Sequence, residues 1–232
     1  MRKQFSQDPA KIRGYKSPNY FPHPLAPFRI RATLPDVKLV LLLREPVSRA
    51  VSAHSMGCEN KKEKRSVDTA LNEELVALQN CLAEAARRRG PRISCMWDKF
   101  YPSWDSPTGL SVDSWKGMAS GRDGSYLMPS LYVLQLRHWM RSFPLSQFHI
   151  TSSNAFKTDT KDEMLRLATF LGSQQHRVNE QVLESQHRTK KGGSAKKQAA
   201  GQLRDSTMQA LRAFFDPFNQ ELWELMGRRL QW

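Results

Sequence analysis

Val37-Lys38-Leu39-Val40-Leu41-Leu42-Leu43-Arg44-Glu45-Pro46-Val47-Ser48-Arg49-Ala50-Val51-Ser52 is the stretch on which the fold turns. Its first seven residues are almost continuously apolar and lie between Pro35 and Pro46. That is too short for a buried helix and suits a strand buried on both faces, as in a parallel sheet. Pro46 fits the first turn of a helix that follows. In open α/β sheets, ligands sit beyond the carboxyl ends of strands, where loops turn into helices. Arg44 stands at that exit, able to fork onto a phosphate. Ser52 follows one to two turns into the helix, where a hydroxyl can reach the same anion, and the helix N-terminus offers backbone N–H groups. On spacing alone, pairing of Arg44 with Glu45 or a neighbouring helix, with Ser52 a small packing residue, explains the pattern equally well.

Outward from this point the pattern alternates. Residues 1–15 are polar and basic, a poorly ordered lead-in. Lys16 to Phe21, followed by Pro22, Pro24 and Pro27, reads as a loop. Ser66 to Arg89 is a helix: Val67, Leu71, Leu75, Leu78 and Leu82 form its apolar stripe, and Gly90-Pro91 stop it. Residues 91–123 read as a divergent loop or insertion. Tyr126 to Ser142 reads as a buried helix and Gln147 to Thr151 as a short strand. A helix capped by Asp159 or Thr160 runs to Gly172. Residues 185–200 form a basic loop, and Ser206–Phe215 and Asn219–Met226 a closing helical pair around Pro217. Strand–helix alternation with a parallel-type strand places the chain in the α/β class.

Composition bounds the function. The 232 residues carry 36 Lys+Arg against 22 Asp+Glu, a formal charge of +14, which attracts polyanions or phosphorylated small molecules. Cys58, Cys81 and Cys95 fit no metal spacing; one bridge with a free thiol, or three thiols, are both open. No run approaches the roughly 18 apolar residues of a membrane span, and Met1 to Lys16 has no secretory apolar core. No helix-turn-helix, zinc or RNP-like pattern is present, so no specific nucleic-acid partner is expected.

Arg44-Glu45-Pro46-Val47-Ser48-Arg49-Ala50-Val51-Ser52 resembles the R-[DE]-P-x-x-R-x-x-S signature with which PAPS-dependent sulfotransferases hold the donor's 3′-phosphate; PAPS is 3′-phosphoadenylyl sulfate. Lys16-Ser17-Pro18-Asn19-Tyr20-Phe21 is similar to the K-[ST]-P-x-Y-[FL] element of heparan-type Golgi carbohydrate sulfotransferases. Gly124-Ser125-Tyr126 with Leu136, Trp139 and Phe143 resembles their G-x-Y…L-x-x-W…F helix. Phe170-Leu171-Gly172, the basic Lys190-Lys191-Gly192-Gly193 and Leu211 to Leu225 follow in the family's order.

The resemblance implies a three-layer P-loop-like fold with a mostly parallel sheet, a partial domain over 16–232, and sulfuryl transfer from PAPS to a hydroxyl or amine of an anionic glycan. It implies PAPS as donor cosubstrate, no metal, and a Golgi-lumen or membrane location through a segment not seen here. Arg44 and Ser52 would bind the 3′-phosphate, Lys191 and Gly192 would lie in the loop over the nucleotide, and Lys16 would stand near the transferring sulfonate.

The family also opens with a first strand and a Lys/Gly/Thr-rich phosphosulfate loop, and carries a catalytic Glu or His ahead of the K-[ST]-P element. Neither precedes Lys16, so impaired turnover is expected, and a non-catalytic polyanion- or PAP-binding relic is the alternative. For a replacement acceptor-side residue or base, His54 is preferred because it should face the same crevice, with His23 second; His138, His149, His176 and His187 read as core or surface residues. Asn154 stands where the family often has Glu.

Overall fold

A computed structural model describes residues 12–60, 62–95, 125–173 and 203–232. The expected strand is β1 (Leu39–Leu43), flanked by α1 (Ala26–Thr33) and α2 (Pro46–Glu59). Then come α3 (Val67–Arg87), a 3₁₀ turn at Met128–Ser130 and α4 (Tyr132–Trp139). A second 3₁₀ turn at Leu145–Gln147 leads into β2 (Phe148–Ser152), followed by α5 (Ala155–Thr158), α6 (Thr160–Leu171) and α7 (Asp205–Met226).

The two strands pair in parallel, Leu39 opposite Phe148 through Leu43 opposite Ser152. One face of the pair, with Leu43, Phe148 and Ile150, closes on a core shared with Val47, Leu71, Leu75, Leu136, Phe143, Leu211, Phe215 and Leu222. On the other face α6 covers β2: Thr151 donates to Glu163 at 2.6 Å, and the His149 and Phe170 rings lie 5.4 Å apart. That cover does not extend to β1, where Val40 is 45 % and Leu42 58 % exposed. The strand is therefore buried on one face rather than two, and among the described residues its outer edge is unpaired.

Each helix carries a local cause. Ser66 caps α3 by accepting from the Thr69 amide at 3.1 Å. Gly172 ends α6 at φ 78°, in the left-handed region that glycine enters without a Cβ penalty. Three expectations change. Pro27 starts a helix instead of extending a loop, because its fixed φ suits a first turn, where the missing N–H costs nothing. Pro129 keeps the residues before Leu131 out of the α-helix, so α4 is shorter than the expected 126–142 helix. Pro217 sits inside one continuous helix, α7, rather than between two, since Leu211, Phe215, Phe218 and Leu222 bury a single stripe across it. Cys81 and Cys95 form a disulfide tying α3 to the chain beyond it, and Cys58 is free. No described helix is long and apolar enough to cross a membrane.

Candidate functional site

The site is built at the carboxyl end of β1, where the exit loop is held carbonyl by carbonyl. Leu43 accepts from the Ser153 amide at 2.6 Å and Glu45 from the Arg49 amide at 2.9 Å. The Arg44 carbonyl accepts from the Tyr132 hydroxyl at 2.9 Å, and Pro46 from the Ser130 hydroxyl at 3.3 Å. The backbone that projects Arg44 is thus fixed on all sides while its guanidinium is exposed, with no ion pair or side-chain hydrogen bond among the described residues. Pairing of Arg44 with Glu45 is ruled out by what Glu45 does instead. Its carboxylate caps α2, accepting from the Val47 and Ser48 amides at 2.9 and 2.6 Å. This corrects the expectation that an anion meets free amides at this helix end: a resident carboxylate already takes two of them.

Ser52 lies on the solvent-facing stripe of α2, with Ser48 one turn before it and Met56 one turn after. Ala50, Ala53, His54 and Gly57 form the opposite, buried face. His54 is therefore a core residue: it is 0 % exposed, its Nε2 lies 3.1 Å from the Arg65 carbonyl, and its ring meets Tyr126 edge-on at 5.2 Å. Burial lowers its pKa. Two residues along a helix is about 200° of rotation, so the neighbour of an outward Ser52 points inward. His23 is equally enclosed. Its Nδ1 accepts from the Leu25 amide at 3.0 Å, and burial, seconded by Arg29, pulls its pKa down to about 4, so it is neutral at physiological pH. The expectation of a histidine on the acceptor side of the crevice fails for both. Lys16 is exposed on the segment before α1. Lys191, Gly192 and Gly124 lie outside the described residues.

Behind the exit loop runs a buried polar lattice that the sequence reading did not find. Glu74 on α3 accepts from the Ser125 hydroxyl at 3.0 Å and from the Tyr126 and Met128 amides at 2.5 and 3.1 Å. Its pKa is nonetheless raised, burial outweighing the donors that surround it, the Leu127 amide among them. Arg49, the second arginine of the motif, donates to the Tyr126 carbonyl at 3.1 Å. It supports the scaffold and is not a free cation, and burial lowers its pKa against the opposing influence of Tyr132 and Glu74. Tyr126, the tyrosine singled out from sequence, donates to Glu63 at 2.8 Å, away from the exit loop. Glu63 is drawn down to about 2, chiefly by the Arg65 side chain bound to it, with burial opposing. The tyrosine that reaches Arg44 is Tyr132. Its place one helical turn before Leu136 of the L-x-x-W pattern was the available signal.

Comparisons with known proteins agree with this arrangement. A family model described as the sulfotransferase domain matches residues 2–215. The chain is 25% identical over 230 residues to the mouse heparan sulfate glucosamine 3-O-sulfotransferase 3B1, covering 94% of this chain and 49% of that protein. It is 23% identical over 236 residues to the human heparan sulfate glucosamine 3-O-sulfotransferase 5, covering 97% of this chain and 57% of that protein. The chain thus spans about half the length of the curated relatives it matches. Among solved structures, a sulfotransferase from Alicyclobacillus acidocaldarius superposes with a TM-score of 0.55 at 19% identity, over 91% of this chain and 63% of that one. The parallel pair, the arginine at its exit and a domain match over nearly the whole chain lead to one conclusion: the chain belongs to the sulfotransferase family.

Proposed function

We propose that this chain supplies the 3′-phosphate grip of a PAPS-dependent carbohydrate sulfotransferase, which passes a sulfuryl group from PAPS to a hydroxyl or amine of an anionic glycan such as heparan sulfate. The observation that carries this reading is Arg44, an exposed guanidinium unpaired among the described residues, on a locked backbone at the carboxyl end of a parallel strand, preceding a helix whose exposed stripe holds Ser48 and Ser52. A guanidinium suits a phosphate because it offers two parallel N–H donors and stays charged at every relevant pH. In the transfer, the acceptor oxygen attacks sulfur, the bond from sulfur to the 5′-phosphate oxygen breaks, and the acceptor's proton passes to a base. Lys16, an exposed ammonium, is the residue of this chain proposed to stabilise charge on the transferring sulfonate. Lys191 and Gly192 are proposed to cover the nucleotide. The +14 charge favours both the donor and a polyanionic acceptor. The open edge of β1, with Val40 and Leu42 uncovered beside it, suits pairing with a further strand carrying the phosphosulfate loop.

Thermal shift with PAP, the desulfated product, tests the reading. PAP should raise the melting temperature, whereas AMP, which lacks the 3′-phosphate, and inorganic sulfate at equal concentration should not. Equal shifts with PAP and AMP refute a 3′-phosphate grip. A second reading, a sulfotransferase relic that binds PAP without turnover, is favoured by the burial of His23 and His54, which leaves neither able to act as base. PAP binding without sulfate transfer to heparan sulfate supports the relic; transfer refutes it.

A further inference from the structure

Of the four carbonyls that define the exit loop, those of Leu43 and Glu45 are held by backbone amides, of Ser153 just past β2 and of Arg49 in α2, as any strand–helix turn allows. The carbonyl of Arg44 itself is held by a side chain from a remote element, the Tyr132 hydroxyl, 88 residues away in sequence. That bond fixes the peptide plane leaving Arg44 and so the direction in which its side chain departs. Tyr132 is itself clamped. It is 5 % exposed, and the ring of Trp232 lies against it with centroids 6.3 Å apart and planes at 36°. Residues 228–232, which carry Trp232, are seated on β2. The Ser152 hydroxyl donates to the Gln231 carbonyl at 2.5 Å, Arg228 donates to the Ile150 carbonyl, and Leu230 is buried. A continuous line of contacts therefore runs from β2 through the 228–232 segment and Trp232 to Tyr132 and the Arg44 backbone.

Resting on the reading of Arg44 as the 3′-phosphate grip, we infer that Tyr132 is a positioning residue for Arg44, held in place by Trp232, and that this pair sets the preference for nucleotides bearing a 3′-phosphate. Tyr132 touches no donor atom in this scheme; it acts through the guanidinium it aims. Its hydroxyl donates to the Arg44 carbonyl and also meets the Ser130 side chain, and its ring is enclosed between Trp232 and the core.

Calorimetry with PAP and AMP on the full chain, on Tyr132→Phe, on Arg44→Ala and on the double variant tests this. Tyr132→Phe keeps the ring and removes the hydroxyl that meets the Arg44 carbonyl and the Ser130 side chain, so PAP affinity should fall about 3- to 10-fold with any weak AMP binding unchanged. In the Arg44→Ala background Tyr132→Phe should cost nothing further, because the residue it aims is gone. Trp232→Ala should reproduce the loss and Trp232→Phe should largely restore it. Parent-like PAP affinity in Tyr132→Phe, equal losses for PAP and AMP, or an additive double variant each overturn the inference while leaving the grip intact. Failure of the unaltered chain to bind PAP overturns the reading of Arg44, and this inference with it.

Discussion

Glu74→Ala is the most searching perturbation of the lattice behind the exit loop. Glu74 is 5 % exposed and accepts from the Tyr126 and Met128 amides and the Ser125 hydroxyl, with the Leu127 amide also directed at it. Truncation strands the Tyr126 and Met128 amides in the interior, each at about 1–3 kcal/mol, while the Ser125 hydroxyl can turn to another acceptor. With partial hydration of the space left behind, the expected loss is about 3–5 kcal/mol, a large share of the roughly 5–15 kcal/mol by which domains are stable. For a chain of this size that is a fall in melting temperature of about 6–20 °C. Glu74→Gln keeps an acceptor oxygen but turns an NH₂ toward one of the donors, so it should lose about 2 kcal/mol. Urea unfolding, read as a shift in midpoint at constant slope, measures both. An alanine variant within 1 kcal/mol of the parent refutes the claim that Glu74 organises the 125–128 turn.

Arg44→Ala should weaken PAP binding about 10- to 100-fold, the loss of a charge-assisted pair, with an unchanged urea midpoint because the side chain is exposed and has no ion pair among the described residues; calorimetry at fixed salt checks it. His23 has its pKa depressed from 6.5 to about 4, so its contribution is intact above pH 6.5 and is lost as pH falls from there toward 4, at most about 3 kcal/mol. His23→Asn, which keeps an acceptor for the Leu25 amide, should flatten the stability profile across that window, and an unchanged profile contradicts it. Opening the Cys81–Cys95 bridge with a double serine variant frees a loop of about 15 residues and should cost about 3 kcal/mol. A melting temperature insensitive to reductant would show that the bridge does not constrain the unfolded chain.

Sequence carried the fold where one local rule dominated. Seven residues between two prolines, six of them apolar, are too few for a buried helix and read as a strand, and the Val67–Leu82 stripe reads as a helix face. It failed where packing overrode such a rule. Pro217 removes one amide from α7, but four large side chains bury on the same stripe above and below it, and the helix continues. At the β1 exit, the exposed positions of Arg44 on the turn and Ser52 on the outward helical stripe were legible because a motif spaces them so. His54 was misplaced because closeness in sequence was taken for closeness in space; the Ala50, Ala53, His54, Gly57 spacing already marked the inward face. Glu74 gave no sign in a linear reading, since its partners lie 51 or more positions away, and the helical spacing that places Tyr132 one turn before Leu136 does not tell that its hydroxyl meets a carbonyl 88 positions away.

The bare rim of β1 has a practical bearing on the isolated polypeptide. A strand edge that no other described strand pairs, next to exposed Val40 and Leu42, is a template for stacking between molecules. Purified alone, the polypeptide should scatter increasing light as its concentration rises, and Leu42→Lys, which sets a like charge along the rim, should keep it dispersed.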